Sequence, residues 1–366
     1  MNGEAAAFLV LQPLSRPLAA ARRRMSRPVA TTIRRFTRMA LAHSDRSALV
    51  DLAWLKKQDA RSAKILDASW WMPNVPKDKR YSEDELQGFQ QKLQQHLLHN
   101  QSGIQRFDID VVKDTTNTLP HMLPTLEQMA NHLAHMGLSS PEDDVIVVYS
   151  TNGFVASARC WWMLRAYSFQ NVFVIDGGID PEKDLLASAS SGEAPAAGTS
   201  DADLLPLEDR EKALKATMKF RPELVWNKQD VLHFVAAKEK SPEGEKIFLL
   251  DARSEGRFKG TEPEPRAGLA SGHVPGSFSV PFQAVLQSNG KMRRGAALRE
   301  AFASTGLFSD DATGAVSSAS ISCTCGSGVT AGVVALALHE AGLPDASVYD
   351  GSWTEYGADA SCPKEV

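Results

Sequence analysis

The sequence predicts an α/β chain of two tandem, doubly wound domains, each a parallel sheet flanked by helices. Three observations carry this expectation. Short, near-continuously apolar runs such as VIVVY (145–149) and IFLLDA (247–252) read as strands covered on both faces. These runs alternate with segments of helical spacing, as parallel strands joined by helical crossovers require. The same strand–loop–helix order also occurs twice: KILDASWW (64–71) is answered by IFLLDARS (247–254), and VFVIDGGI (172–179) by ASVYDGSW (346–353).

The chain opens on a charged extension. Residues 1–43 hold eight arginines, no lysine and one acid, Glu4. That segment is +7 while the whole chain is −4, so the remainder is −11. An Arg-rich, acid-poor start interspersed with Ala, Leu and Ser has the composition of an organellar transit peptide. TTIRRFTRMALAH (31–43) can form a basic amphipathic helix. Residues 1–44 are therefore read as an extension that directs the protein to mitochondria. A basic tail without that role, or a true start at Met25, are the alternatives, with a cytoplasmic location. No basic patch with interleaved aromatics continues into the body, so no nucleic-acid partner is expected.

The first unit is expected over 45–183. DLAWLKKQ (51–58) and LPTLEQMANHLAHMG (123–137) carry helical spacing. VIVVY is followed by STNGFVASA (150–158), which stands where a catalytic loop would stand and reads as an inert counterpart. Cys160, Trp161 and Trp162 then fall in a helix and read as core, as do Trp70 and Trp71. A linker is expected over 184–218. Its stretch ASASSGEAPAAGTSDAD (187–203) is small and polar and reads as a flexible surface crossing. The second unit, 219–366, holds the helix KQDVLHFVAAKE (228–239) and the strand IFLLDA. SDDATGAVSSAS (309–320) reads as a variable loop, ahead of a second strand that runs into Cys325.

Composition narrows the chemistry. Four cysteines in 366 residues, without small-secreted-domain spacing, make no disulfide framework and suit a reducing compartment. No CxxC pair or HExxH occurs, so no metal site is suggested. No apolar run reaches the roughly 18 residues of a membrane span, and no membrane partner is expected.

Only the second copy has a cysteine at the strand end. The loop Cys325-Gly326-Ser327-Gly328-Val329-Thr330 contains two glycines that let successive N–H groups point inward. A helix starting near Thr330 adds its positive end. Together these groups favour an anion on the Cys325 sulfur, and no acid in the loop opposes them. Cysteine phosphatases need an arginine six positions after the cysteine, and here that position is Ala331, so the phosphate would lack its fork. Sulfur transfer through a cysteine persulfide fits the same cradle. Cys323, two residues earlier, reads as a structural thiol, with a regulatory disulfide to Cys325 as the alternative.

CGSGVTAGVVALAL (325–338) resembles the active-site loop of the tandem-domain rhodanese superfamily, and specifically of the 3-mercaptopyruvate sulfurtransferases. The resemblance runs from about residue 48 to 357. It implies two rhodanese-like domains, the second catalytic. Thiosulfate-specific members have basic residues after the cysteine; Gly326 and Ser327 are neutral, which fits a monoanionic keto acid. GRFKGTEPEPRAGLASGHVPGSFSVPF (256–282) matches the family's GRFxGTEPEPR segment. By that resemblance Arg257 and Arg266 bind 3-mercaptopyruvate, and two guanidinium forks suit a carboxylate beside a ketone. Loop residues Gly326, Gly328, Val329 and Thr330 complete the expected binding set, while His273 supports the turn.

FDIDVVKDTTNTLPHMLP (107–124) resembles the family segment that crosses to the domain interface. The resemblance implies that Asp110 and His121 pair with Ser327 as a catalytic relay beside the nucleophile Cys325. LLHNQSGIQ (97–105) stands where the family carries a GHVPG-like turn. The implied enzyme moves sulfur from 3-mercaptopyruvate to Cys325, releases pyruvate, and passes the sulfur to a thiol acceptor such as thioredoxin or glutathione, or to cyanide, with no cofactor or metal expected. A thiosulfate sulfurtransferase and a non-enzymatic rhodanese-like sulfur carrier are the alternatives; the retained arginine pair argues for the enzyme.

Overall fold

The computed structural model describes residues 47–57, 63–72, 75–96, 103–181, 183–184, 205–241, 246–308, 319–343 and 346–366. The transit-peptide reading of 1–44, the crossing 187–203, most of the altered turn at 97–105 and most of the loop at 309–320 lie outside these residues.

Among the described residues ten strands form two sheets, and every strand pairing within the sheets is parallel. In the first, β1 (Leu49–Val50), β2 (Ala63–Asp67), β3 (Ile104–Arg106), β4 (Val145–Tyr149) and β5 (Val172–Ile175) lie in the order β1-β5-β4-β2-β3. In the second, β6 (Val225–Trp226), β7 (Ile247–Asp251), β8 (Phe278–Ser279), β9 (Ser320–Thr324) and β10 (Ser347–Tyr349) repeat it as β6-β10-β9-β7-β8. The doubling read from the sequence is thus a doubling of topology. The central strands are the apolar runs: every residue of β4 is buried, and β9 is buried from Ile321 onward. The edge strands β1, β6 and β8 are two residues long, too short to leave a hydrophobic pattern in the sequence.

Six helices of ten residues or more appear among the described residues: α1 (Glu83–His96), α2 (Leu126–His135), α3 (Val155–Ala166), α4 (Leu207–Thr217), α5 (Lys228–Lys240) and α6 (Ala331–Glu340). Two start at reciprocal caps. Thr125 accepts from the Gln128 amide at the head of α2, and Asn227 accepts from the Asp230 amide at the head of α5. The span read as linker contains α4, which lies on α2: Arg210 Nε donates to Ala134 O at 2.8 Å, and Lys215 pairs with Glu127 at 3.1 Å.

Helices α3 and α6 are buried nearly all round because they face each other between the sheets. Gly332 permits the contact: a Cβ there would stand 3.0 Å from both Cα and N of Arg159. One apolar cluster therefore includes Val148 and Trp161 of the first unit together with Leu250 and Val333 of the second. A polar latch closes another side of the seam. The buried Glu340 carboxylate accepts from Ala48 N and Ser47 Oγ, each at 2.7 Å, and from Arg294 at 2.6 Å; Arg294 also holds Asp176 at 2.9 Å.

Candidate active site

The site lies where the second sheet changes direction. From neighbouring β7 and β9 the chain departs to opposite sides, to β8 and to β10, and the gap beyond their carboxyl ends is where α/β sheets bind ligands. Cys325 follows the last residue of β9, and Arg257 lies in the short helix Glu255–Phe258 after β7.

The cysteine loop is tied down through its carbonyls. Trp353 N donates to Cys325 O at 3.0 Å and Thr354 N donates to Gly326 O at 2.9 Å. The Cys325 amide donates to Ser352 Oγ at 3.2 Å, and Ser352 takes a left-handed backbone (φ 50) to offer it. The amides of residues 326 to 330 meet no acceptor among the described residues. Unspent donors ahead of the N-terminus of α6 form a seat for negative charge.

Cys325 is buried, yet it borders a cavity of about 60 Å³ with Ser327, Arg257, Arg266, Trp70 and Met72. Gly326, Val329 and Thr330 border the same space. Gly328 does not line it; its φ is +77 and its carbonyl accepts from Arg159 at 3.2 Å. The cavity suits a few heavy atoms rather than a nucleotide or flavin, whose pockets are several times larger.

The two arginines are not equivalent. Arg257 is bound to Glu264 through Nε at 3.2 Å and Nη2 at 2.6 Å. Glu264 is itself held by the fully buried Arg253, at 2.7 Å. Arg253 also holds Asp251 at 2.6 Å and lies 4.3 Å above the Trp353 ring. Arg266 has no ion pair or hydrogen bond among the described residues. With one carboxylate between two guanidinium groups, the cavity keeps an excess positive charge for an anion. His273 stays outside it: the ring stacks on Phe258 at 3.7 Å and Nδ1 bonds Phe258 O at 2.8 Å, bracing the turn as expected.

The first unit reaches this site through the loop after β3. His121 Nδ1 lies 3.1 Å from Ser327 Oγ, and His121 Nε2 lies 2.9 Å from Asp110 Oδ1. His121 is buried and left-handed (φ 61), while Asp110 is more than half exposed. The altered segment at 97–105 therefore does not keep His121 from Ser327. Trp70 is the residue that sequence reasoning missed. It packs in the core as expected, but its Nε1 also donates to Asp110 Oδ2 at 2.9 Å, and its ring meets His121 edge-on at 5.3 Å. The bond from His121, then that from Trp70, holds the Asp110 carboxyl below the usual carboxylate range against the opposing effect of burial.

The other thiols have different surroundings. Cys160 and Cys323 are fully buried, and desolvation pushes both well up from an ordinary thiol. Cys323 sits inside β9 between Leu250 and Val348, as a structural residue would. Trp161, Trp162 and Trp353 are core residues.

A parallel sheet doubled in one chain, with a cysteine loop at the switch point of the second copy, defines a rhodanese-type sulfurtransferase. Comparison with known proteins gives the same class: residues 235–359 match the rhodanese-like domain. The chain is 32% identical over 308 residues to thiosulfate/3-mercaptopyruvate sulfurtransferase 1, mitochondrial, of Arabidopsis thaliana, covering 82% of this chain and 73% of that protein. It is 31% identical to the 3-mercaptopyruvate sulfurtransferase of Rattus norvegicus, covering 84% and 91%. The crystal structure of SseA from Escherichia coli superposes with a TM-score of 0.59 at 27% identity, covering 84% of this chain and 99% of that one. The chain belongs to the 3-mercaptopyruvate sulfurtransferase family.

Proposed function

We propose that the protein takes sulfur from 3-mercaptopyruvate onto Cys325. The Cys325 thiolate attacks the substrate sulfur, and the bond from that sulfur to the substrate's methylene carbon breaks. The electron pair of that bond goes to the keto acid, which leaves as pyruvate enolate. The proton of the substrate thiol ends on that enolate carbon, so one thiolate and one mercaptopyruvate become one persulfide anion and one pyruvate. Arg266 and the Glu264-bound Arg257 hold the carboxylate and ketone. Ser327, His121 and Asp110 carry the proton. The free loop amides solvate the persulfide until a thiol such as that of thioredoxin or glutathione, or cyanide, takes the outer sulfur.

The observation that carries this reading is the convergence, on one small cavity, of Cys325, two arginines and a Ser327–His121–Asp110 chain that crosses between the units. Intact mass after brief exposure to mercaptopyruvate tests it. Wild type gains one sulfur and forms pyruvate, whereas Cys325→Ser gains none. With Arg257 and Arg266 both changed to Ala, loading from mercaptopyruvate falls by orders of magnitude. Unimpaired turnover in that double variant removes the substrate assignment, and loading from thiosulfate alone shifts the donor to thiosulfate.

We assign residues 45–183 to the non-catalytic unit and 219–366 to the catalytic one. The basic composition of residues 1–44 and the mitochondrial relative in Arabidopsis support import into mitochondria. No helix among the described residues is long and apolar enough to cross a membrane. A fusion of residues 1–44 to a fluorescent protein that stays cytosolic would remove the import assignment.

A further inference from the structure

The first unit places one more buried charge at the seam beside the active site. Arg159 lies in α3, the helix that follows the degenerate loop of the first unit. Its side chain is fully buried, with the guanidinium 4.4 Å above the Trp162 ring. Nη2 donates to His121 O and to Asp350 Oδ1, the latter at 2.6 Å, and Nη1 donates to Gly328 O at 3.2 Å. Asp350, at the end of β10, uses its other oxygen to accept from Leu123 N at 2.7 Å.

These bonds form a ring. It runs from His121 O through Arg159 and Asp350 to Leu123 N, and so encloses the peptide links on the C-terminal side of His121. That residue has a left-handed backbone, a region that L side chains rarely enter without being held there. The same guanidinium holds the carbonyl of Gly328, next in sequence to Ser327. One rigid group therefore sets the spacing of the two backbones whose side chains meet at 3.1 Å.

From this geometry we infer that Arg159, with Asp350, is a positioning residue for the proton relay. It fixes His121 against Ser327 from the far side of the interface. A buried ion pair adds little stability over apolar residues of the same size, so stability alone is a weak reason for it. An apolar pair could hold neither the His121 carbonyl nor the Gly328 carbonyl. What the pair supplies is placement.

The inference rests on the proposed role of His121 and Ser327, and its test separates the two. Turnover of mercaptopyruvate by Arg159→Lys and Asp350→Asn is measured alone and combined with His121→Ala, with thermal unfolding recorded for each protein. Asp350→Asn is nearly isosteric and covers the case in which an Arg159 variant does not fold. Misplacing a catalytic group by about 1 Å costs on the order of 100-fold. Either substitution alone is expected to lower kcat by about 10- to 100-fold with KM changed by less than about threefold. In the His121→Ala background the same substitutions should cost nothing further, an outcome that a merely structural role would not produce. Equal losses in both backgrounds, or no loss in either, overturn the positioning role while leaving the relay in place. Wild-type turnover in His121→Ala alone overturns the relay, and the positioning role with it.

Discussion

At the scale of single residues, the site depends on groups whose importance lies in their partners. Asp110 would be an ordinary half-exposed acid without His121 and Trp70, which hold its carboxyl below the usual range. A carboxyl whose folded value lies below its unfolded value stabilises the protein above the unfolded value. That contribution fades as pH falls through the folded value. The melting-temperature difference between wild type and Asp110→Asn should therefore be largest near neutrality, hold to about pH 5, and shrink as pH falls below the ordinary carboxylate value of about 4. In a Trp70→Phe background, which removes one of the two donors, the difference should be smaller throughout. A difference independent of pH would sink this account of Asp110. Asp110, His121, Ser327, Cys325 and both arginines are all named by motif resemblance in the sequence. Trp70 was legible only as an aromatic beside a strand, because its bond to Asp110 spans forty residues of chain. Glu264 stood in plain view between the arginines, but nothing in GTEPEPR says that it binds one and leaves the other open.

At the scale of the loop, two glycines that look alike in CGSG do different work. Gly328 has φ +77, and a Cβ there would stand 2.9 Å from both Arg159 Nη1 and Asp350 O. It serves the backbone turn and the close approach of the first unit. Gly326 has an ordinary backbone, but its Cβ would stand 3.1 Å from Arg257 Nη2, in the substrate space. Gly328→Ala is expected to cost about 1–2 kcal/mol for the left-handed backbone alone and more for the crowding, lowering both melting temperature and turnover. Gly326→Ala is expected to leave stability within about 0.5 kcal/mol and to raise KM for mercaptopyruvate. Thermal unfolding and steady-state kinetics on the pair decide the matter; similar unfolding losses in both would remove the distinction. The sequence shows that the loop needs glycines. Which one serves conformation and which one serves space depends on Arg159 and Arg257, which reach the loop from other parts of the chain.

At the scale of the molecule, the repeat was legible and the seam was not. Matching strand motifs reveal two copies, but only packing shows that α3 and α6 meet and that the first copy adds Trp70 and Arg159 to the His121 and Asp110 named by resemblance. Chains with two domains commonly unfold in two steps, because most interdomain faces are polar and modest. Here the seam is an extension of the core. One apolar cluster runs through both units, Gly332 brings the two helices into backbone contact, and Glu340 and Arg294 close the latch. Pulling the units apart would expose the largely buried faces of α3 and α6, and either half would lose much of its core. Unfolding in urea should therefore be one cooperative transition, with Trp fluorescence, far-ultraviolet circular dichroism and loss of persulfide formation falling on one curve. Gly332→Val forces a side chain against the Arg159 backbone. It should lower the midpoint and abolish activity together, since the residue it strikes, Arg159, also bonds the carbonyls of His121 and Gly328. Two separated transitions in the wild type would mean that the seam is a contact between independent domains, and that the first unit could be removed without loss of the second unit's fold.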